Sequence, residues 1–480
     1  MSTVELGPII PSPELRRAPG LSGALTALLG TVVILVVGYA KFGVKPEILL
    51  VLSTAFVVCL SASLGVSWKQ TQSGMLQSIL KGMPAMLIVI VVGALIASWL
   101  AAGIIPMIIY YGLGIITPRF FLLTASVASC VVSCLTGTGY GTIGTIGVAF
   151  MGIAHGLGIP PGPAAGALVA GAYLGDKVSP LAANSNLACA VSGVNIYDHI
   201  RHCLWTTIPA LAVGFVVYAF YGGGRAGAAG VVNAADGSLR AALAAHFVFS
   251  PWLLIPPAIT LYAMARKYPV IPGMIVSVIA AVILAVWLQH AKIGATLNVL
   301  ADGFTSHTGV PSVDKLLAQG GMSSMMRVTM IALCAFSYSG ALQKAGLLEP
   351  ILARLIKFAH TPGRLILTTG CACIAVELLT GSAFLCILLP GELFGPAYGR
   401  MGLAAKNLSR TIGDFGIVGV PLIPWSIAGA FMSGTLGVTV GEYAPWAVFC
   451  YVGAAFSIIA GFTGWTVARR IREDETQPGS

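Results

Sequence analysis

The chain has 480 residues, 57% of them hydrophobic and only 9% charged, with a formal net charge of +10 and a mean hydropathy of +0.91. Soluble domains carry about 25% charged residues, so this composition excludes a water-soluble fold and describes a chain that lives in lipid. The basic excess collects at the chain ends and in loops, as cytoplasmic-side retention of Lys and Arg requires, and gives no reason to expect a nucleic-acid partner.

Residues 1–20 form a polar tail that contains Glu5 and Glu14 and lacks the apolar run of a cleavable signal peptide, so the first span is the expected targeting element. Apolar runs near 22–40, 47–66 and 84–102 predict three spanning helices. Between the second and third, Ser67–Gly82 is polar on one side and reads as an interfacial helix. Further spans are predicted near 204–221, 250–264, 270–289, 326–342, 364–380, 383–398, 415–438 and 443–467. At ~20 residues per span plus loops, the fold class is an all-α polytopic membrane protein with room for about 10–13 transmembrane segments. The organisation expected is a tail (1–20), a first membrane half (21–222), a connecting loop (223–249) with Arg225, Asp236 and Arg240, a second half (250–467) and a second tail (468–480). A second polar interval, Lys292–Gly321, lies inside the second half. Arg16-Arg17 and Arg469-Arg470-Ile471-Arg472 place both termini on the cytoplasmic side of a cell (inner) membrane.

Two stretches, Gly175–Gly193 (GDKVSPLAANSNLACAVSG) and Gly416–Gly434 (GIVGVPLIPWSIAGAFMSG), align without a gap. They share the first Gly, a Pro-Leu, a Ser and the closing Ser-Gly. Leu135-Thr136-Gly137 likewise recurs as Leu379-Thr380-Gly381, each time upstream of the Pro-Leu element. Helix breaks are therefore expected at Gly137, Pro180, Gly381 and Pro421, inside otherwise apolar sequence. Duplicated, interrupted membrane segments point to the binding site of a secondary transporter. Thr136–Gly147 (TGTGYGTIGTIG) has two readings: close helix packing through small residues, or an unwound segment lining a path.

Only sixteen acids exist. Asp176, Glu377, Glu392 and Asp414 are flanked by long uncharged runs, and a charge at mid-membrane persists where it faces a cavity and has work to do. Asp176 ends a stretch with no Asp, Glu, Lys or Arg from Phe120 to Gly175 and precedes Ser179-Pro180. A Pro-broken helix beside a carboxylate suits a hard cation, and the carboxylate can trade that cation for a proton. The competing reading pairs Asp176 with Lys177 at a helix end. Asn184, Ser185 and Asn186 supply neutral oxygens and amides, for sodium, for an organic substrate or for helix capping; Asp176 and Asn186 are the expected ion ligands. Asp414 has Arg410 at i, i+4 as a surface-pair rival. His155, His199 and His202 are candidate proton shuttles near neutral pH, although His199 and His202, flanking Arg201 beside Asp198, read better as an interfacial cluster. Ten cysteines offer no disulfide framework. Cys130 and Cys134 lie in apolar sequence and behave as small hydrophobes, and Cys371-Ala-Cys373 lacks zinc spacing. No cofactor and no enzymatic centre is expected, since TGTGYGTIGTIG lacks the Lys-Ser/Thr ending of a phosphate loop.

Gly175–His202 (GDKVSPLAANSNLACAVSGVNIYDHIRH) and Leu388–Val438 resemble the signature segments of NhaC-type sodium/proton antiporters, and the agreement extends to Thr136–Gly147 and Leu316–Met326. The resemblance implies two inverted repeats with discontinuous helices and sodium/proton exchange, or in some members ion-coupled exchange of small organic acids. Departures are specific. Ala182-Ala183-Asn184-Ser185-Asn186 stands where the family shows Ser-Asp/Glu-Thr-Thr-Asn, and Gly413-Asp414-Phe415-Gly416-Ile417 where it shows Glu-Asp-Ser-Gly-Thr. Pro424-Trp425-Ser426-Ile427 replaces Pro-Trp-Asn-Thr, and Ser382 replaces an Asp. Fewer carboxylates at both breaks lower the charge available to a cation, and Glu377 is the candidate to compensate.

The expected function is secondary antiport of Na+ or Li+ against protons by alternating access. Asp176, Ser179, Asn184, Ser185, Asn186, Glu377, Ser382, Asp414 and Ser426 are the candidate binding residues. The alternative is an ion-coupled exchanger of a small organic acid or amino acid in the same fold. A channel is disfavoured by the absence of a ring-forming filter motif, and a receptor by the lack of a sizeable soluble domain. The sequence leaves a homodimer open.

Overall fold

The computed structural model describes residues 20–224, 239–266, 268–306, 308–310, 313–314 and 317–469. Arg16-Arg17, Arg225, Asp236 and the basic residues beyond Arg469 lie outside them. Among the described residues there is no β-strand, only an isolated bridge between Leu403 and Arg469. Among the described residues eight helices are long and apolar enough to cross a membrane, or up to eleven if each of three bent pairs counts as one span. The protein is a multi-pass helical membrane protein, as its composition requires.

The scaffold is an antiparallel pair of long helices, Trp68–Ala101 and Met322–Lys344. Glycines let their backbones touch. A Cβ on Gly74 would fall 2.7 Å from the Gly340 carbonyl oxygen, and Gly321 N–H donates to the Gly93 carbonyl at 2.8 Å. Without a hydrophobic force between helices in lipid, such close small-residue packing is what holds them together. The first of these helices corrects the expectation of a separate interfacial helix at Ser67–Gly82. Ser67 and Gln70 form a reciprocal capping box, and 34 continuous helical residues follow, spanning about 51 Å. That exceeds the ~30 Å hydrocarbon core, so polar entry and apolar span belong to one rod that continues through Pro84.

Both predicted Leu-Thr-Gly elements end helices, Phe121–Thr136 and Pro362–Thr380, at left-handed glycines: Gly137 with φ 69° and Gly381 with φ 60°. Both Pro-Leu elements break a helix. In the first, Pro161–Val178 stops at an extended Ser179 and Ala183–Ser192 resumes. In the second, Lys406–Ile412 passes into a π turn at Gly413–Ile417 and a 3-10 turn at Val420–Leu422. It then bends by 48° before continuing as Ile427–Leu436. Each left-handed glycine sits on its own half's break. A Cβ at Gly137 would lie 2.7 Å from the Leu181 carbonyl carbon, and one at Gly381 would lie 3.1 Å from Ser426 Cα and the Trp425 oxygen.

Thr136–Gly147 falls between its two readings. After the turn at Gly137 it is helical at Gly139–Thr142, π-wound at Ile143–Gly147, then helical again at Val148–Gly156.

The crossing makes a prediction. Gly137→Ala incurs the ~1–2 kcal/mol of a left-handed L-residue plus the clash with Leu181. Gly193→Ala, with φ 68° and nothing within 4 Å of the added Cβ, incurs the strain alone. Thermal unfolding in detergent is expected to show the larger drop for Gly137→Ala, and equal drops would refute a tight crossing.

Candidate transport site

The two breaks place the acids differently. Asp176, in the last turn before the first break, is buried, and among the described residues its Oδ2 accepts one hydrogen bond, from Gly139 N–H at 3.0 Å. Neighbouring Lys177 turns away. Its fully buried ammonium pairs with the equally buried Asp414 of the second broken helix. Thr206 Oγ1 donates to the same Asp414 oxygen at 2.9 Å, while Asp414 Oδ2 has no hydrogen-bond partner among the described residues. Lys177 Nζ also lies 5.5 Å from the Phe449 ring centroid. Neither sequence-local pairing forms: Asp176 does not hold Lys177, and Arg410 does not hold Asp414. Arg410 is buried and donates instead to the carbonyl (3.2 Å) and hydroxyl (2.8 Å) of Thr466.

The histidine pair is corrected too. His199 and His202 are buried rather than interfacial. His199 Nε2–H donates to the Lys177 carbonyl at 3.2 Å, and His202 Nε2–H donates to Asn407 Oδ1 at 3.1 Å. His199 thus braces the helix that carries Lys177, and His202 the helix that leads to Asp414.

Several expected ligands serve the breaks themselves. Ser179 Oγ donates to the Cys134 carbonyl at 2.8 Å, and Ser185 Oγ to the backbone carbonyl of Asp176 at 2.7 Å. Asn186 is exposed and spends its amide on the Pro180 and Ala182 carbonyls at 3.0 and 2.7 Å; no hydrogen bond joins it to the Asp176 carboxylate. Ser426 caps the resumed helix, accepting from Gly429 N–H at 2.8 Å, and its hydroxyl faces the Val420 and Ile423 carbonyls. The Pro421 carbonyl accepts from the Tyr443 hydroxyl. Glu377 is buried, with Cys386 Sγ at 3.3 Å as its donor and no cation paired with it among the described residues. A Cβ on Gly419 would come within 2.9 Å of its Oε2, so this acid lies against the second break. Glu392, by contrast, is exposed within the Ala383–Arg400 helix.

A cavity of about 530 Å³ opens where these elements meet. Asn184 of the first break, Gly381 and Ser382 at the end of the Leu-Thr-Gly helix, and Ile427 and Ala428 of the second broken helix all line it. Tyr140 and Tyr173 form part of its wall, and the Tyr140 ring stacks edge-on against Phe431 at 4.9 Å. From the scaffold pair come Ser78, Lys81 and Gln343. Sequence reasoning passed over Lys81, Tyr173 and the partner of Lys177. For Lys81 the signal was present: no other charged residue stands between Lys69 and Arg119.

Paired broken helices closing on a largely apolar cavity that carries a few polar groups, inside a multi-pass helical bundle, are the construction of a secondary active transporter. The sequence pattern of the Na+/H+ antiporter family matches residues 171–465, and the chain belongs to that family. An uncharacterized Na(+)/H(+) antiporter of Haemophilus influenzae is 40% identical over 94% of this chain and 98% of its own. The Na(+)/H(+) antiporter NhaC of Alkalihalophilus pseudofirmus is 35% identical over 93% of this chain and 96% of its own. The malate-2H(+)/Na(+)-lactate antiporter of Bacillus subtilis is 32% identical over 91% and 93%.

Proposed function

We propose that this protein exchanges Na+ for protons by alternating access, with Asp176 as the group that holds cation and proton in turn. One observation carries the reading: Asp176 is a buried carboxylate at a helix break whose adjacent ammonium is committed elsewhere. A buried charge without a partner is costly, so the group favours either a proton or a bound cation. Binding of one therefore displaces the other, which is the minimum requirement of antiport. Glu377 is a second uncompensated acid, at the other break, and replaces part of the negative charge that the departures at Ala182-Ala183, Gly413 and Ser382 remove. The recurrence of left-handed glycine, crossing and break in each half supports a two-repeat organisation. Basic residues at the tails favour a cell-membrane location with both termini cytoplasmic.

The cavity favours a second reading. A volume of about 530 Å³ falls within the ~300–1,000 Å³ range of small-molecule sites and far exceeds what a single cation fills. Ion-coupled exchange of a small organic acid fits it, the kind of cargo named for the Bacillus subtilis malate and lactate relative. Sodium-triggered proton flux in proteoliposomes of the purified chain tests the primary reading. Alkalinisation of the compartment opposite the added sodium, absent with choline, is expected; silence from well-inserted protein would refute it.

A further inference from the structure

Lys81 is the single charged side chain lining the cavity. It stands on the scaffold helix, not on a broken one, and makes no ion pair or hydrogen bond among the described residues. Two helices begin at the same cavity without a side-chain cap. The Ala383–Arg400 helix starts after Ser382, whose hydroxyl does not cap it, and the Ala183–Ser192 helix starts after Ala182, which has no capping group. The first N–H groups of such helices need acceptors, and the helix dipole adds positive potential there.

A second, independent feature lies on the same wall. Tyr173 is 2% exposed, and Ser382 is nearly as buried. Both line the cavity with hydroxyls that have no hydrogen-bond partner among the described residues. Neither oxygen is among the buried polar atoms sealed off from solvent, so both hydroxyls face the cavity and are free to bond a molecule that enters it. Ser78, Asn184 and Gln343 add neutral polar groups, and Phe336, Phe384, Leu385 and Ile427 form an apolar part of the wall. Asp176 does not line the cavity; it sits beside Tyr173 through Gly139.

We infer that Lys81 is the docking residue for a carboxylate cargo. Its ammonium and the uncapped start of the Ala383–Arg400 helix hold the acid end, while the aromatic and aliphatic wall takes an apolar body. The cargo class is a small organic monoanion. An anion site at Lys81 and a separate cation or proton site at Asp176 give the geometry of coupled movement. This inference rests on the second reading above, and it is read by binding, whereas the sodium–proton reading is tested by flux in the wild type, so either can fail alone.

The test uses the purified full chain in detergent. Thermal unfolding is followed with millimolar lactate, malate, valerate and phenylacetate, and with phenylacetamide and phenethylamine as neutral and cationic matches to the last acid. At least one acid is expected to raise the midpoint, with no shift from the amide or the amine. Lys81→Arg should keep the response, and Lys81→Gln should need at least ~10-fold more acid, the scale of one charge-assisted hydrogen bond. No shift from any acid, equal shifts from acid and amide, or an unchanged response in Lys81→Gln would each overturn the inference. Should Lys81→Gln fail to fold, the contrast of acid, amide and amine on the wild type decides it.

Discussion

Asp176→Asn is expected to reduce sodium-triggered proton movement to the level of protein-free liposomes while leaving insertion and thermal stability close to wild type. The asparagine oxygen can still accept from Gly139 N–H, so the one bond that positions the side chain survives. What disappears is the negative charge, and with it the ability to hold either a cation or a proton. Because Asp176 has no ion-pair partner to strand, the substitution removes a buried charge and abandons no counter-ion, which is why stability is spared. Glu377→Gln makes the useful comparison. It also removes an unpaired buried acid, but one set against the second break. Loss of flux in Asp176→Asn with partial flux in Glu377→Gln would assign the exchange step to the first break. Full flux in Asp176→Asn would remove Asp176 from the mechanism.

The sequence carried the breaks well because their causes are local. A left-handed glycine after Leu-Thr, and a proline that denies a helix its next hydrogen bond, act within a few residues of themselves. Asp176 was legible for a related reason: a lone acid after a long uncharged run stands out against the energetics of lipid. The pairing of Lys177 was not legible, since its partner Asp414 is brought up by tertiary packing from the other half of the chain. The i, i+4 rule misdirected Asp414 toward Arg410 because the π turn at Gly413–Ile417 alters the helical register there. Arg410 is instead taken up by Thr466, beside a terminal segment that also hydrogen-bonds Asn407. Ser67–Gly82 was misread for a different reason. Its polarity marks where the helix leaves the hydrocarbon, and nothing in that pattern shows whether the helix ends there.

The Lys177–Asp414 pair sets the other large expectation. Lys177→Met or Asp414→Leu alone should each cost about 3–5 kcal/mol, the usual penalty for leaving one member of a buried pair uncompensated. Among the described residues Thr206 is the only other donor to the Asp414 carboxylate, and a hydroxyl cannot replace an ammonium. The double variant Lys177→Met/Asp414→Leu is expected to recover most of that loss, because an apolar pair of similar volume avoids the desolvation that the ions bear. Thermal unfolding of the four proteins in one detergent measures it, as a double-mutant cycle whose coupling term isolates the pair. Flux through the stable double variant then separates two roles that stability cannot. If it transports, the pair only holds the two broken helices together. If it is folded but inert, the pair takes part in the cycle: a link fixed between the halves by packing would survive replacement with Met and Leu, whereas one that must open and re-form would not. Additive single losses would show that Lys177 and Asp414 are buried for separate reasons and that the contact between the broken helices is not what stabilises them.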